Sequence, residues 1–457
     1  MGIVANFTEL DAHGMQIPRG IALELVQVGL AVLDPFSAVK GEVHLSRDQL
    51  HVGRRVYDLS EIEHIYVVGA GKASLRIAEA LEELLGDRIT DGVVVVRRGQ
   101  RGCLSRIRTW EADHPIPSER SQRGAQLLFE VANRAGAGDL VFVCVTGGSS
   151  ALACYPPAGV SLTEKQEVHR LLLQSGANIL EINAVRKHVS EIKGGRLARR
   201  IAPAKIVNLT ISDVAGDPLD YITDLTVPDT STVADAIQVL HRYHLWDRMP
   251  ESVRQHLLQG EKAESPDLSE VDIYTLMLAT GDTACEAMAR RAAELGLRSL
   301  VLSTFLEGES REAGIVLATI AKEVVRKGRP ITPPCVLLGC GGETTVTLEG
   351  NFGTGGPNQE LVLGAALKLE PDEPVAIAAV DTDGADGGTE FAGGLVDGLT
   401  RRRLEEKGID LRTVLTDHLA SYALRELGDL IITGQTHTNV NDMFVVAVVP
   451  ENFTFRK

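Results

Sequence analysis

A short apolar run, then a glycine-rich turn, then an amphipathic stretch recurs along this chain. That recurrence limits what the chain can fold into more than any other feature. It appears in HIYVVGAGKASLRIAEALEELL (64–85), DLVFVCVTGGSSAL (139–152), AKIVNLTISDVAGD (204–217), PCVLLGCGGETTVTL (334–348) and VAIAAVDTDGADGG (375–388). The apolar runs are β-branched and lack two-residue alternation, as strands buried on both faces of a parallel sheet do. Helical periods lie between them, at 72–85, 118–135, 163–175, 181–199, 281–296 and 309–327. Strands alternating with helices predict an α/β fold of two domains, with mostly parallel sheets flanked by helices. The expected boundaries are a first domain over 1–245, a polar linker or crossover over 246–270 carrying Pro250 and Pro266, and a second α/β region over 271–457.

Charge and composition exclude several classes of function. Lys and Arg number 46 against 62 Asp and Glu, a formal net charge of −16. So acidic a chain is poorly suited to a nucleic-acid backbone or an anionic membrane surface. Aromatic residues make up only 4%, too few to build stacking platforms for single strands. The six cysteines form no CxxC and no paired Cys/His spacing, so neither a zinc ribbon nor a disulfide framework is expected. Most sit in apolar runs, as buried reduced thiols do. No apolar run approaches the ~18 residues of a membrane span. The opening MGIVANFTELDAHG has no charged segment followed by an apolar one. The expectation is a cytoplasmic protein that handles small molecules, with no nucleic-acid or membrane partner and with a homodimer left open.

In open parallel sheets ligands bind beyond the carboxyl ends of the strands, and here those ends carry most of the chemistry. GAGKAS (69–74) follows a strand and opens a helix, so its amides are placed to receive an anion, with Lys72 adding a mobile charge. It is neither a complete dinucleotide fingerprint, since Ser74 replaces the third glycine, nor a P-loop, since Ala73 follows Lys72. TGGSSAL (146–152) is only loosely a nucleophile elbow, because Ala151 stands where GxSxG needs glycine. A phosphate cradle of Gly147, Gly148, Ser149 and Ser150 fits better. In both motifs a purely structural turn is the alternative.

NAVRKHVSEIKGGRLARR (183–200) concentrates cations in an otherwise acidic chain. On a single helix Arg186 and Lys193 share a face, with Asn183 one turn before, suited to a carboxylate or phosphate. A solvated basic face is the alternative. Acids supply the other half: Asp213 and Asp217 after one strand, Glu343 after another, and Asp381, Asp383 and Asp386 in DTDGADG. Magnesium prefers one or two carboxylates together with phosphate oxygens, so these fit it; each acid is equally suited to a capping or turn role. Anion turns, a lysine, an arginine segment and carboxylates together favour phosphoryl transfer, where a protein mainly positions groups and neutralises charge.

Taken in order, GAGKAS, VTGGSSAL, EINAVRKHVSEIKGGRLA (181–198), ISDVAGDPLDYI (211–222), GGETTVTLEGNFGTGGPNQELVL (341–363), DTDGADGG and TNVNDM (438–443) make the chain similar to the class II glycerate 2-kinases. Their C-terminal part is called the MOFRL domain, here about 333–450, and some members carry the name hydroxypyruvate reductase. The resemblance implies a Rossmann-like larger domain and a smaller MOFRL-type α/β domain, with the active site in the cleft between them. It implies ATP- and Mg2+-dependent phosphorylation of D-glycerate at its 2-hydroxyl, giving 2-phospho-D-glycerate and ADP. On the matched motifs it places Lys72 and Asp213 in catalysis. Arg186, Asn183, Lys193 and Ser212 fall on the small sugar-acid substrate. Gly69, Gly71, Gly147, Gly148, Ser149, Ser150, Gly341, Gly342 and Asn358 fall on the nucleotide, and Glu343 and Asp383 on magnesium.

Three places depart from the family pattern. GGPNQE sets Pro357 where the family carries an arginine, and proline cannot make an arginine's charge-assisted hydrogen bonds. The usual SGPT before VPD is replaced by the shorter DLT (224–226), and TGQTHTNVND carries Gln435 and His437 at substituted positions. Either another cation replaces the arginine, or the acceptor differs, or activity is weak. A kinase for a related sugar acid, a non-catalytic binder of sugar-acid phosphates and an NAD(P)H-dependent hydroxypyruvate reductase stand as alternatives.

Overall fold

The computed structural model describes residues 2–100, 102–214, 216, 218–222, 224–348, 352–450 and 452–453. The chain forms two compact units. One comprises residues 35–211 and 217–278; the other gathers 1–34, 212–216 and 279–457. Residues 246–270, expected to be a linker, instead fold as short helices, Trp246–Arg248, Glu251–Leu257 and Gly260–Lys262, within the first of these units. Their Val253, Leu257 and Ala263 are fully buried, so apolar residues spaced along a polar stretch anchor it to a core.

The 35–278 unit is built on a six-stranded sheet. Its spatial order is Ile107–Ala112, Ile89–Arg97, Ile65–Ala70, Leu140–Val145, Lys205–Ile211 and Ile273–Ala279. The first five strands pair in parallel. The two central strands are buried at every residue, which explains their unbroken apolar runs. Gly69 and Gly71 serve this pairing. A Cβ at Gly69 would stand 2.4 Å from the Cys144 carbonyl oxygen, and one at Gly71, where φ is +148°, 2.1 Å from Thr146 Oγ1. Helices Ser74–Leu85 and Glu119–Ala132 cover the sheet with apolar faces, the second started by a capping box of Ser118 and Ser121.

One helical expectation fails usefully. The period at 181–199 is not a single helix: Ile179–His188 ends, and Arg196–Ile201 starts anew. Gly194 and Gly195 adopt φ of +62° and +78° in the turn between, and Lys165 donates from Nζ to the carbonyls of Arg186 and Val189 at the first helix's end. Arg186 and Lys193 therefore do not share a helix face.

The other unit has a six-stranded sheet in the order Arg298–Ser303, Cys335–Cys340, Asp442–Val448, Val375–Asp381, Gly393–Asp397 and Leu430–Ile431. Only the first pair is parallel; the rest are antiparallel. Strand Asp442–Val448 inserts between two earlier strands, a long-range pairing with no local sequence mark. The N-terminal helix Gln16–Val32 packs on this unit's strands, burying Ile21, Leu23, Leu25 and Val26. It also buries Arg19, whose guanidinium meets Asp397 Oδ2 at 3.0 Å and Asp429 Oδ1 at 2.6 Å. Five of the six cysteines are buried and all are reduced. Among the described residues no single helix is long and apolar enough to cross a membrane.

Candidate functional site

In the 35–278 unit the two glycine-rich turns are stitched together at the carboxyl ends of the central strands. Lys72 N–H donates to the Gly147 carbonyl at 2.9 Å, and Ala73 N–H donates to Thr146 Oγ1 at 3.1 Å. Gly148, with φ of +86°, precedes the short helix Ser149–Leu152. The His114 ring and Lys72 Cγ flank it within 3.4 Å of where a Cβ would sit, so the lysine and the cradle adjoin. Ser149 is buried, and Ser150 Oγ accepts from Lys193 Nζ at 2.6 Å. Gly69 and Gly71, by contrast, are spent on strand packing.

Lys193 leads to the rest of the cationic region. Its ammonium also meets Asp224 Oδ2 at 2.5 Å, and burial lowers its pKa against the pull of that carboxylate. Arg186 lies close enough for the two charges to repel. Its guanidinium has only neutral partners among the described residues: His169 Nδ1 at 3.0 Å from Nε, and Asn183 Oδ1 at 3.5 Å. Burial without an acidic partner in contact brings the Arg186 pKa down to about 10. Lys165, buried beneath, is lowered to about 7, first by burial and then by Lys193, Arg186 and Arg196. Lys187 points to a separate acidic pair, Asp220 and Asp229. Asp224 acts on Arg186 from a distance but is in contact with Lys193, so the cations around Arg186 outnumber that carboxylate.

In the other unit carboxylates gather where strands Val375–Asp381 and Asp442–Val448 meet. Their antiparallel register sets Asp381 opposite Asp442. Asp442 accepts from Thr344 N–H at 2.9 Å and from Asn358 Nδ2 at 2.6 Å. Asn358 Nδ2 donates as well to Asp386 Oδ1 at 3.2 Å, while its own Oδ1 is buried without a hydrogen-bond partner. Asp386 in turn caps helix Pro357–Ala366, accepting from Asn358 N–H and Gln359 N–H at 3.0 Å each. Burial drives both carboxyls upward, Asp386 to about 6 and Asp442 to about 7, where Asp386 and Glu343 add repulsion to Asp442.

The remaining expected residues fall around this end. Asp213 accepts from Asn439 Nδ2 at 3.1 Å, and buried Ser212 spends its hydroxyl on the Val214 carbonyl at 3.0 Å. Asp217 lies outside the described residues. Glu343 is exposed; Asp383 accepts from Ala385 N–H at 2.9 Å while its own N–H donates to Asp381 Oδ1. Gly341 and Gly342 exchange backbone bonds with Asp442, and a Cβ on Gly342 would strike the Leu306 backbone at 2.3 Å, so both serve the strand junction. Neither Glu343 nor Asp383 joins a three-ligand cluster. Among the described residues the one such group is Glu63, His64 and Asp139, at the amino ends of strands Ile65–Ala70 and Leu140–Val145.

Three groups escaped sequence reasoning. Asp442 stands at the start of an apolar run, and a search for acids after strands passes over it; an antiparallel strand puts its beginning at this edge. His169 belongs to an ordinary amphipathic helix, and Asp224 lies in a segment noted only for its brevity.

In this α/β protein a part-buried guanidinium bonded to neutral side chains lies beside a serine- and glycine-rich turn in one unit, and carboxylates cluster at strand ends in the other. Residues 21–258 match the family described as a domain of unknown function (DUF4147), and 335–442 match the MOFRL family. A glycerate 2-kinase of Pyrococcus horikoshii is 43% identical, covering 94% of this chain and 97% of its own. A D-glycerate 2-kinase of Thermotoga maritima is 39% identical over 94% of this chain and 98% of its own. The crystal structure of a Thermotoga maritima glycerate kinase superposes with a TM-score of 0.83 at 38% identity, over 94% and 99% of the two chains. The chain belongs to the glycerate 2-kinase family, a family of kinases.

Proposed function

We propose that this protein transfers the γ-phosphoryl group of ATP to the 2-hydroxyl of D-glycerate. The observation that carries the reading is Arg186, a part-buried guanidinium whose hydrogen-bond partners among the described residues are neutral, with Asp224 acting on it only from a distance. A small carboxylate supplies the missing charge through paired N–H donors. Lys193, with Ser150, flanks it, and Asn183 stands at its other side.

Lys72, adjoining the Gly147–Ser150 turn, neutralises charge on the transferred phosphoryl group, as a mobile cation does. Asp213, oriented by Asn439, accepts the proton of the acceptor hydroxyl. The donors at the acidic end are oxygens, the set that magnesium prefers, so the residues present fit that ion. Glu343 and Asp383 would hold it, two carboxylates with phosphate oxygens and water completing the shell. Bound there, the ion supplies charge neutralisation on the nucleotide phosphates. The requirement for ATP and magnesium is an inference from the kinase relatives and from this donor set.

The test is ADP release with ATP and magnesium across D-glycerate, L-glycerate, erythronate and threonate, with NADH oxidation by hydroxypyruvate as a separate arm. Turnover with D-glycerate supports the reading. Turnover with another acid alone moves the acceptor, and NADH oxidation without ADP release overturns the kinase.

A further inference from the structure

His169 lies on helix Leu162–Leu173, seventeen residues before Arg186 in sequence, and its ring nitrogen receives the Arg186 Nε–H at 3.0 Å. Arg186 Nη2 comes to 2.6 Å of both ring nitrogens, so the guanidinium lies against the imidazole while its Nε–H is directed at Nδ1. A buried arginine ordinarily takes a carboxylate as its partner, which fixes the guanidinium but also cancels its charge. Here an imidazole holds the position instead. The charged groups acting on that imidazole are all cations: Arg186 itself, Lys165 and Lys193. With the ring half-buried among them, protonation would add a fourth cation, so the ring stays neutral and Nδ1 remains an acceptor.

We infer that His169 is a positioning residue for anion recognition: it orients the Arg186 guanidinium without spending its charge, leaving that charge for the carboxylate of the substrate. This inference rests on the assignment of Arg186 to the acceptor acid and adds the reason a histidine, and not an acid, stands beside it. The same logic explains Asn183, a second neutral acceptor at 3.5 Å on the guanidinium's other side.

Three substitutions separate orientation from mere packing. His169→Asn keeps an acceptor near the Nδ1 position, His169→Phe keeps the ring but removes the acceptor, and His169→Asp keeps an acceptor while adding negative charge. If His169 only supports the fold, His169→Asp is harmless, because a carboxylate is the usual partner of a buried arginine. If it preserves charge, His169→Asp raises the KM for D-glycerate by about 10- to 100-fold, the range of a lost charge-assisted contact. Its melting temperature stays at or above that of the parent. His169→Phe raises KM by about tenfold, and His169→Asn stays within about threefold of the parent, with kcat little changed throughout. A His169→Asp protein that keeps the parent KM overturns the inference. Equal KM increases in the Asn and Asp variants overturn it too, since position alone would then matter. Failure of the parent protein to bind D-glycerate by calorimetry overturns the acceptor assignment itself and is read before any variant is made.

Discussion

Asn439 donates from Nδ2 to Asp213 Oδ2 at 3.1 Å, joining residues 226 apart in sequence. The contact ties the segment 212–216 to the turn that precedes strand Asp442–Val448, within one unit. Residues 212–216 accordingly belong to the compact unit that holds 279–457. A carboxylate held by an amide donor is fixed in direction.

Asp213→Asn therefore lowers kcat by about a hundredfold or more, the usual contribution of a positioned general base. Asn439→Ala, which loses only the orienting bond, lowers kcat by about tenfold. Steady-state kinetics check both, and the KM for the acid changes little in either, because neither group is assigned to ground-state binding.

Asp383→Asn raises the magnesium concentration for half-maximal rate by about tenfold, and saturating magnesium restores most of kcat. Titration of the rate against magnesium at fixed ATP measures this. An unchanged magnesium dependence removes Asp383 from the ion.

Arg19 is fully buried between Asp397 and Asp429 and also donates from Nε to the Leu10 carbonyl at 3.0 Å. Arg19→Met leaves buried Asp397 without its cation while Asp429 keeps Arg403 at 3.0 Å, a loss of about 3 kcal/mol. The urea midpoint falls accordingly. Arg19→Lys recovers only part of it, since one ammonium cannot replace a fork that meets three acceptors at once.

Lys165 gives stability a pH dependence. Its native pKa is lowered to about 7 by burial and neighbouring cations, against 10.5 for the unfolded chain. Between those values the unfolded state binds the extra proton, so this residue makes stability rise with pH across the window. The gain is lost as pH falls from 10.5 through 7. The slope approaches about 1.4 kcal/mol per pH unit for one proton. Lys165→Met removes that component, which denaturant titrations at pH 7.5 and 9.5 detect as a flatter pH profile.

Local pattern carried much of the architecture. Helices at 74–85, 281–294 and 310–327 stand close to the periods read from sequence, because their apolar spacing and termini are local properties. The central strands Ile65–Ala70 and Leu140–Val145 were legible for the same reason. The antiparallel insertion of Asp442–Val448 was not, since pairing across the chain depends on partners that no short window contains. Arg19 reads as the polar residue of an amphipathic helix until Asp397 and Asp429 close around it from more than 370 residues away. Arg186 and Lys193, expected on one helix face, lie near each other through a turn at Gly194–Gly195, and Ser150, expected on the nucleotide, accepts from Lys193. Gly69 and Gly342, expected on the nucleotide, also leave no room for a Cβ against neighbouring backbone, a packing role that the sequence did not reveal.

Phosphorus NMR of the product formed from ATP, magnesium and D-glycerate tests the central claim most directly. Phosphate on the 2-hydroxyl couples to a single carbon-bound proton and gives a doublet; phosphate on the 3-hydroxyl couples to two and gives a triplet. The account predicts the doublet, growing with the ADP resonances and absent with Lys72→Ala. A triplet, or ATP left intact while D-glycerate is bound, would contradict it.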